Sequence, residues 1–157
     1  SASAHCHSRG LAHRDLKQEN IVISTDGHTA KVVDLGAADD LNVSLEVHGV
    51  VPFVAPEVLA NETNEYNAAS ADVWSLGVIL LEMLCGVGFL AGLMHWSLPL
   101  EPGPELAHEL RTLLSDWGSL AQSINSKQSL NPGSISLLQH MLCSAGSQRW
   151  SALAIAG

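Results

Sequence analysis

The 157-residue sequence predicts a mainly α-helical domain with one small β-hairpin near its N-terminal side. Three observations carry that expectation. A long apolar run begins at residues 69–70, two later segments are rich in leucine with helical spacing, and one pair of short β-prone runs flanks an Asp-Gly turn.

In chain order, residues 3–9 read as the end of a helix, with Gly10 at its C′ position. Ile21-Val22-Ile23 and Lys31-Val32-Val33 are the β-prone runs, and Thr25-Asp26-Gly27-His28 supplies the turn between them. Residues 36–52 are loop-like. Pro52 and Pro56 bracket Phe53-Val54-Ala55 and exclude a regular helix there. The long helix starts at Ala69 or Ser70, with Ser70 as N-cap, and ends near Gly86. Pro99, Pro102, Gly103 and Pro104 mark a linker, after which Pro104 opens an amphipathic helix through Ser119. Leu106, Leu110, Leu113, Leu114 and Trp117 form its apolar face. A last helix covers Ser134 to Leu142, after Asn131-Pro132-Gly133.

Hydrophobic residues make up 46% of the chain and charged residues 15%, which excludes a disordered tail. The net charge of −9 argues against nucleic acid as a partner, because phosphate binding needs a basic face. Cations and basic peptides remain as partners. Cys6, Cys85 and Cys143 are scattered, without metal spacing, and read as reduced thiols of an intracellular, cytoplasmic protein. His5-Cys6-His7 has no further ligand cluster beside it and reads as the end of a helix rather than a metal site. Leu76 to Trp96 is long enough to cross a membrane, but Glu82 sits in the apolar run and Gly86, Gly88 and Gly92 interrupt it. A buried helix is expected there, not a span. Without an initiator Met or a signal peptide, the chain reads as an excerpt.

The polar chemistry concentrates in His13-Arg14-Asp15-Leu16-Lys17-Gln18-Glu19-Asn20. Asp34-Leu35-Gly36 begins 14 positions after Asn20, and Ala55-Pro56-Glu57 follows. In phosphoryl transfer, positioning and charge neutralisation matter more than covalent chemistry. Asp15 is placed to accept the proton of a substrate hydroxyl. Lys17, two residues on, can neutralise phosphate, and Asn20 and Asp34 offer hard oxygens to Mg²⁺. The hairpin between residues 21 and 33 would bring those two ligands together.

These segments resemble the catalytic loop (13–20), the metal motif (34–36) and the A-P-E motif that closes the activation segment, 34–57, of the eukaryotic-type protein kinase family. Asp72-Val73-Trp74-Ser75-Leu76-Gly77 resembles the start of that family's central helix, about residues 70–85. Gln148-Arg149-Trp150-Ser151 resembles its late arginine motif. The resemblance runs over the whole chain, 1–157, as one kinase C-terminal lobe. It implies a serine/threonine kinase, since Lys17 stands in H-R-D-L-K-x-E-N, acting with ATP and Mg²⁺ on a protein substrate.

The resemblance also implies roles. Asp15 and Lys17 are catalytic; Lys17, Asn20 and Asp34 bind the nucleotide, with Asn20 and Asp34 on the metal. His13 packs the loop against the metal motif, and Arg14 anchors an activation-loop phosphate, for which Ser44 is the candidate. Asp72 holds the loop backbone, Glu57 pairs with Arg149, and Trp74 and Trp150 pack. Glu19 and Glu82 stand where kinases preferring basic residues upstream of the acceptor carry glutamate.

The departures are specific. No G-x-G-x-x-G loop, strand lysine or partner glutamate appears, so the N-terminal lobe is absent from these residues and the fragment alone is expected to be inactive. Leu35 replaces the Phe of D-F-G. Val50 stands where many such kinases carry a Thr that hydrogen-bonds toward Asp15 and Lys17. The alternative reading is a truncated or pseudokinase-like scaffold that binds a protein partner through the surface near residues 95–125.

Overall fold

A computed structural model describes residues 1–41, 47–60 and 66–156. Helix α1 (Ala2–His7) is capped by the Ser1 hydroxyl, which accepts the Ala4 N–H. It ends at Ser8, two residues before Gly10, whose φ of +79° turns the chain into strand β1 (Leu11–Ala12). After the catalytic-loop segment and a 3₁₀ turn at Gln18–Asn20, β2 (Ile21–Ile23) and β3 (Ala30–Val32) form the expected hairpin, with Ile21 opposite Val32. Asp26 builds its turn. The Ser24 hydroxyl and the His28 N–H both donate to that carboxylate and hold it below the ordinary aspartate range.

A second two-stranded sheet corrects the expectation of a single hairpin. β4 (Asp39–Asp40) pairs antiparallel with β1, placing Ala12 opposite Asp39 inside the stretch expected to be loop. Two residues give no periodicity, so only the tertiary approach of the β1 edge makes this pairing. Short helix α2 (Pro56–Ala60) follows, with proline at its start, where a missing N–H costs nothing.

The centre of the fold is α3 (Ala68–Cys85). It is long and apolar enough to cross a membrane by length and composition alone, but 56% of it is buried inside the protein. Trp74, Val78 and Leu81 have no exposed surface. Its N-cap is Asn67, not Ser70: the Asn67 side chain accepts the Ser70 N–H at 2.9 Å. We therefore expect Asn67→Ala to cost about 1 kcal/mol in urea unfolding, the usual value of such a cap, with Ser70→Ala well below that. The reverse order would return the cap to Ser70.

Helix α4 (Phe89–Leu93) follows a glycine-rich turn. The segment expected as one helix from Pro104 to Ser119 is two, α5 (Pro104–Ser115) and α6 (Trp117–Lys127). Asp116 ends the first and caps the second, its carboxylate accepting the Ser119 N–H and hydroxyl. Trp117 thus belongs to the second helix. Helix α7 (Pro132–Met141) starts at its proline, two residues earlier than expected, and packs on α3. Gly77 allows this approach, since an added Cβ would lie 2.9 Å from the Leu142 side chain and 3.0 Å from Met141. Helix α8 (Ala152–Ala156) lies against α1. Trp74 packs fully, whereas Trp150 stacks on His140 with ring centroids 4.0 Å apart and stays 40% exposed.

Candidate active site

The loop from His13 to Asn20 packs on α3, and Asp72, near the start of that helix, holds it there. This carboxylate is 1% exposed. One oxygen accepts the His13 N–H at 2.8 Å, and the other accepts the Arg14 N–H at 2.8 Å. His7, on α1, donates from Nε2 to the first oxygen at 2.8 Å. Arg14 has a φ of +67°, sparsely populated for a residue with a Cβ. Two hydrogen bonds from the adjoining amides to one buried acceptor hold the backbone in that bend. His7 is legible in the sequence only as a helix end; its partner lies 65 residues away.

Beyond the bend, Lys17 Nζ lies 2.8 Å and 3.1 Å from the two oxygens of Asp15. Asn20, which is buried, donates its side-chain amide to the Asp15 carbonyl at 2.7 Å and to the Asp15 carboxylate at 3.1 Å. Both Asn20 bonds use its NH₂ group, which leaves the amide oxygen as an acceptor. The hairpin then brings in Asp34. With Ile21 opposite Val32, the next pair outward is Asn20 and Val33, and the Val33 N–H donates to the Asn20 carbonyl at 2.9 Å. His13 supports the same junction, donating from Nε2 to the Val33 carbonyl at 3.0 Å. Asp34 itself is exposed, with φ +62°, and accepts the Gly36 N–H at 3.2 Å. An amide oxygen and a carboxylate next to a backbone tie make a hard-oxygen donor pair that suits Mg²⁺.

The segment after Asp34 is held from two sides. Arg14 donates from Nε to the Ala37 carbonyl at 2.6 Å and pairs with Asp39 at 3.3 Å. Ser44 lies outside the described residues. Farther along, Gly49 passes the catalytic loop: a Cβ there would sit 3.5 Å from the Arg14 carbonyl and 3.6 Å from Asp15. Val50, next to it, is half exposed and offers no hydroxyl. Trp74 Nε1 donates to the Pro52 carbonyl at 3.2 Å, and the Ser75 hydroxyl to the Phe53 carbonyl at 2.8 Å. Glu57 then meets Arg149 through two bonds of 2.5 and 2.6 Å.

Of the two glutamates considered for substrate contact, Glu19 is exposed beside Asn20. Glu82 is not: it is 4% exposed, and its two oxygens accept the Gln18 side-chain amide and the Gly88 N–H. A carboxylate in an apolar run finds acceptable surroundings only with such donors. Glu82 is thus buried on two donors inside the fold, whereas Glu19 stands exposed.

This geometry, with the order of its motifs, is that of a protein kinase. The chain matches the protein kinase domain family over residues 1–156 and belongs to it. CBL-interacting serine/threonine-protein kinase 24 of Arabidopsis thaliana is 42% identical over 89 residues, covering 54% of this chain and 19% of that protein. Testis-specific serine/threonine-protein kinase 5 of Mus musculus is 42% identical over 90 residues, covering 55% of this chain and 23% of its own length. Sperm motility kinase 2B of Mus musculus is 39% identical over 89 residues, with 55% and 18% covered. The matched stretch spans about a fifth of these relatives.

Proposed function

We propose that residues 1–157 form the C-terminal lobe of a serine/threonine protein kinase, which transfers phosphate from Mg–ATP to a protein hydroxyl in the full-length protein. The observation that carries this reading is the cluster of Lys17, Asp15 and Asn20 within hydrogen-bond distance, tied by the Val33–Asn20 bond to the residue before Asp34. Two of these relatives bear serine/threonine kinase in their names. The lobe assignment draws on the exposed apolar side chains Leu11, Val33 and Leu35, the last 63% exposed, at the rim where an upper lobe would sit. The three free cysteines fit a reducing, cytoplasmic setting.

In this reading Asp15 accepts the hydrogen bond of the substrate hydroxyl and takes its proton. Lys17 turns from Asp15 toward the phosphate oxygens and offsets their charge. Asn20 and Asp34 hold Mg²⁺ through the amide oxygen and the carboxylate. ATP with its metal supplies the transferable phosphoryl group and part of the charge that stabilises it in flight. Asp72, His13 and His7 act at one remove, by fixing the loop. Glu19 meets a basic residue upstream of the acceptor, helped by the −9 charge of the chain. Alone, without adenine contacts from above, the 157 residues bind nucleotide weakly and turn over no substrate. The second reading, a non-catalytic lobe that binds a protein partner, draws on Val50, which leaves Asp15 and Lys17 without a hydroxyl neighbour at that position.

The test is a pair of substitutions in the full-length protein. Asp34→Asn should abolish phosphotransfer and weaken Mg-dependent ATP binding. Asp15→Asn should cut kcat by roughly 10²–10⁴ while leaving ATP affinity nearly unchanged, because Asp15 touches the substrate and not the nucleotide. Equal losses of ATP affinity in both variants would refute the division of roles. Wild-type protein without any phosphotransfer would favour the scaffold.

A further inference from the structure

A cavity of about 370 Å³ lies between α1, the start of α3, the turn before α8 and α8 itself. Phosphotransfer, as proposed, does not use it: Asp15, Lys17, Asn20 and Asp34 do not line it. Its volume falls within the range of small-molecule sites, about 300–1,000 Å³. Val73 and Ala152, 1% and 3% exposed, belong to its apolar wall. Trp150, stacked on His140, adds an aromatic side chain to the lining.

The polar lining decides the charge of an occupant. Arg149 is the one lysine or arginine among the described lining residues. All five N–H groups of its guanidinium are engaged, two by Glu57 and one each by the carbonyls of Cys143, Ser70 and Ser144. It has no donor left for an anion. Among the described residues no aspartate or glutamate lines the cavity, so a cation finds no counter-charge. Burying an unpaired charge is costly, which selects an uncharged occupant. His7 sets the polar contact. Its Nε2 donates to Asp72 at 2.8 Å, and a neutral imidazole that donates from Nε2 carries a lone pair on Nδ1. Among the described residues nothing is bonded to Nδ1, although the side chain is only 12% exposed. The neighbouring Ser8 hydroxyl spends its proton on the His5 carbonyl at 2.9 Å, so it too is left as an acceptor. The site holds acceptors that lack a donor.

We propose that this cavity binds an uncharged, flat aromatic molecule carrying one N–H or O–H donor, of the indole or phenol class. The donor bonds His7 Nδ1, and the ring packs on Val73, Ala152 and Trp150. The proposal does not depend on the kinase reading above. The site nonetheless adjoins the anchor of the catalytic loop, because the same imidazole bonds Asp72, which accepts the His13 and Arg14 N–H groups.

The experiment is calorimetric titration of the full-length protein without nucleotide, at about pH 8, above the ordinary histidine range. The probes are indole and benzothiophene, its isostere without a donor. Indole should bind about five- to ten-fold more tightly than benzothiophene, the worth of one neutral hydrogen bond. His7→Phe, which keeps a ring of similar size but has no acceptor, should make the two probes equal. Ser147→Trp and Ala69→Leu, which fill the cavity from two different walls, should each abolish indole binding. Thermal unfolding checks that every variant is folded, and the two cavity-filling variants preserve the test if His7→Phe is not. Absence of indole binding to the wild-type protein overturns the proposal. So does equal affinity for the two probes there. Indole affinity that survives unchanged in the folded cavity-filling variants places the ligand elsewhere and overturns it as well. Phosphotransfer is not read, so a failure of the kinase reading would leave this result standing.

Discussion

Replacing Asp72 with alanine is expected to lower the stability of the chain by about 3 kcal/mol or more. The His13 and Arg14 N–H groups both end on this carboxylate at 2.8 Å, at a point where the carboxylate itself is 1% exposed. Alanine leaves both donors without an acceptor, and each unsatisfied buried donor costs about 1–3 kcal/mol. His7 loses its partner as well. A domain's whole stability is only about 5–15 kcal/mol, so the loss is a large part of it. The variant should unfold at a clearly lower urea concentration, and the His13 and Arg14 amides should lose protection from hydrogen exchange. Asp72→Asn should fall between, because its carbonyl can keep one donor while its NH₂ group faces the other. Leu153→Ala, at a side chain 75% exposed, is the control and should change little. An unchanged midpoint with both amides still protected would remove Asp72 from its place as the anchor.

Arg149→Ala should cost roughly 3–5 kcal/mol, the usual penalty for breaking a buried pair by removing one partner. The Arg149 side chain is fully buried, and the Glu57 side chain is 22% exposed. Besides the two bonds to Glu57, Arg149 donates to the carbonyls of Cys143 at 2.7 Å and Ser70 at 2.9 Å. Its guanidinium also lies 5.4 Å from the Trp74 ring centroid. The substitution therefore strands the Glu57 carboxylate and removes a donor from the carbonyls of Cys143, Ser70 and, at 3.5 Å, Ser144. It removes the ion-pair link from α2 to the start of α3 and to the turn before α8. Lys31→Ala, on an exposed strand position, is the comparison. Gly146→Ala gives an independent check, since its Cβ would lie 2.8 Å from Glu57 Oε1 and must push the carboxylate aside. Small, equal effects at Arg149 and Lys31 would deny the pair any structural weight.

The order of the motifs makes the family legible in the amino-acid sequence. Asp15, Lys17, Asn20 and Asp34 are recognisable because they stand in motifs whose order and spacing are the family's. The β2–β3 hairpin is legible too, since Asp26-Gly27 is strong turn chemistry between β-prone runs. The long helix is visible from its apolar run, but its cap lies three residues before the Ser70 that the pattern suggests. Asn67 and Ser70 are both capping residues, and only the backbone decides which side chain reaches a free N–H. The break at Asp116 is hidden for a related reason, because leucine spacing continues across it while one aspartate ends a helix and starts another.

What the sequence by itself determined was therefore the family, the mainly helical class, the hairpin and the polar residues from which a site could be built. What only the tertiary structure decided was their partners. His7 and Asp72 are 65 residues apart, Gln18 and Glu82 are 64 apart, and Glu57 and Arg149 are 92 apart. Each residue alone reads as an ordinary polar side chain. Local pattern records which face of an element is apolar, because periodicity repeats every few residues. It does not record which distant donor meets a given carboxylate, because that is fixed by how helices and loops pack. Glu82 is one case: it is buried on the Gln18 amide and the Gly88 N–H, donors that the apolar run around it does not predict.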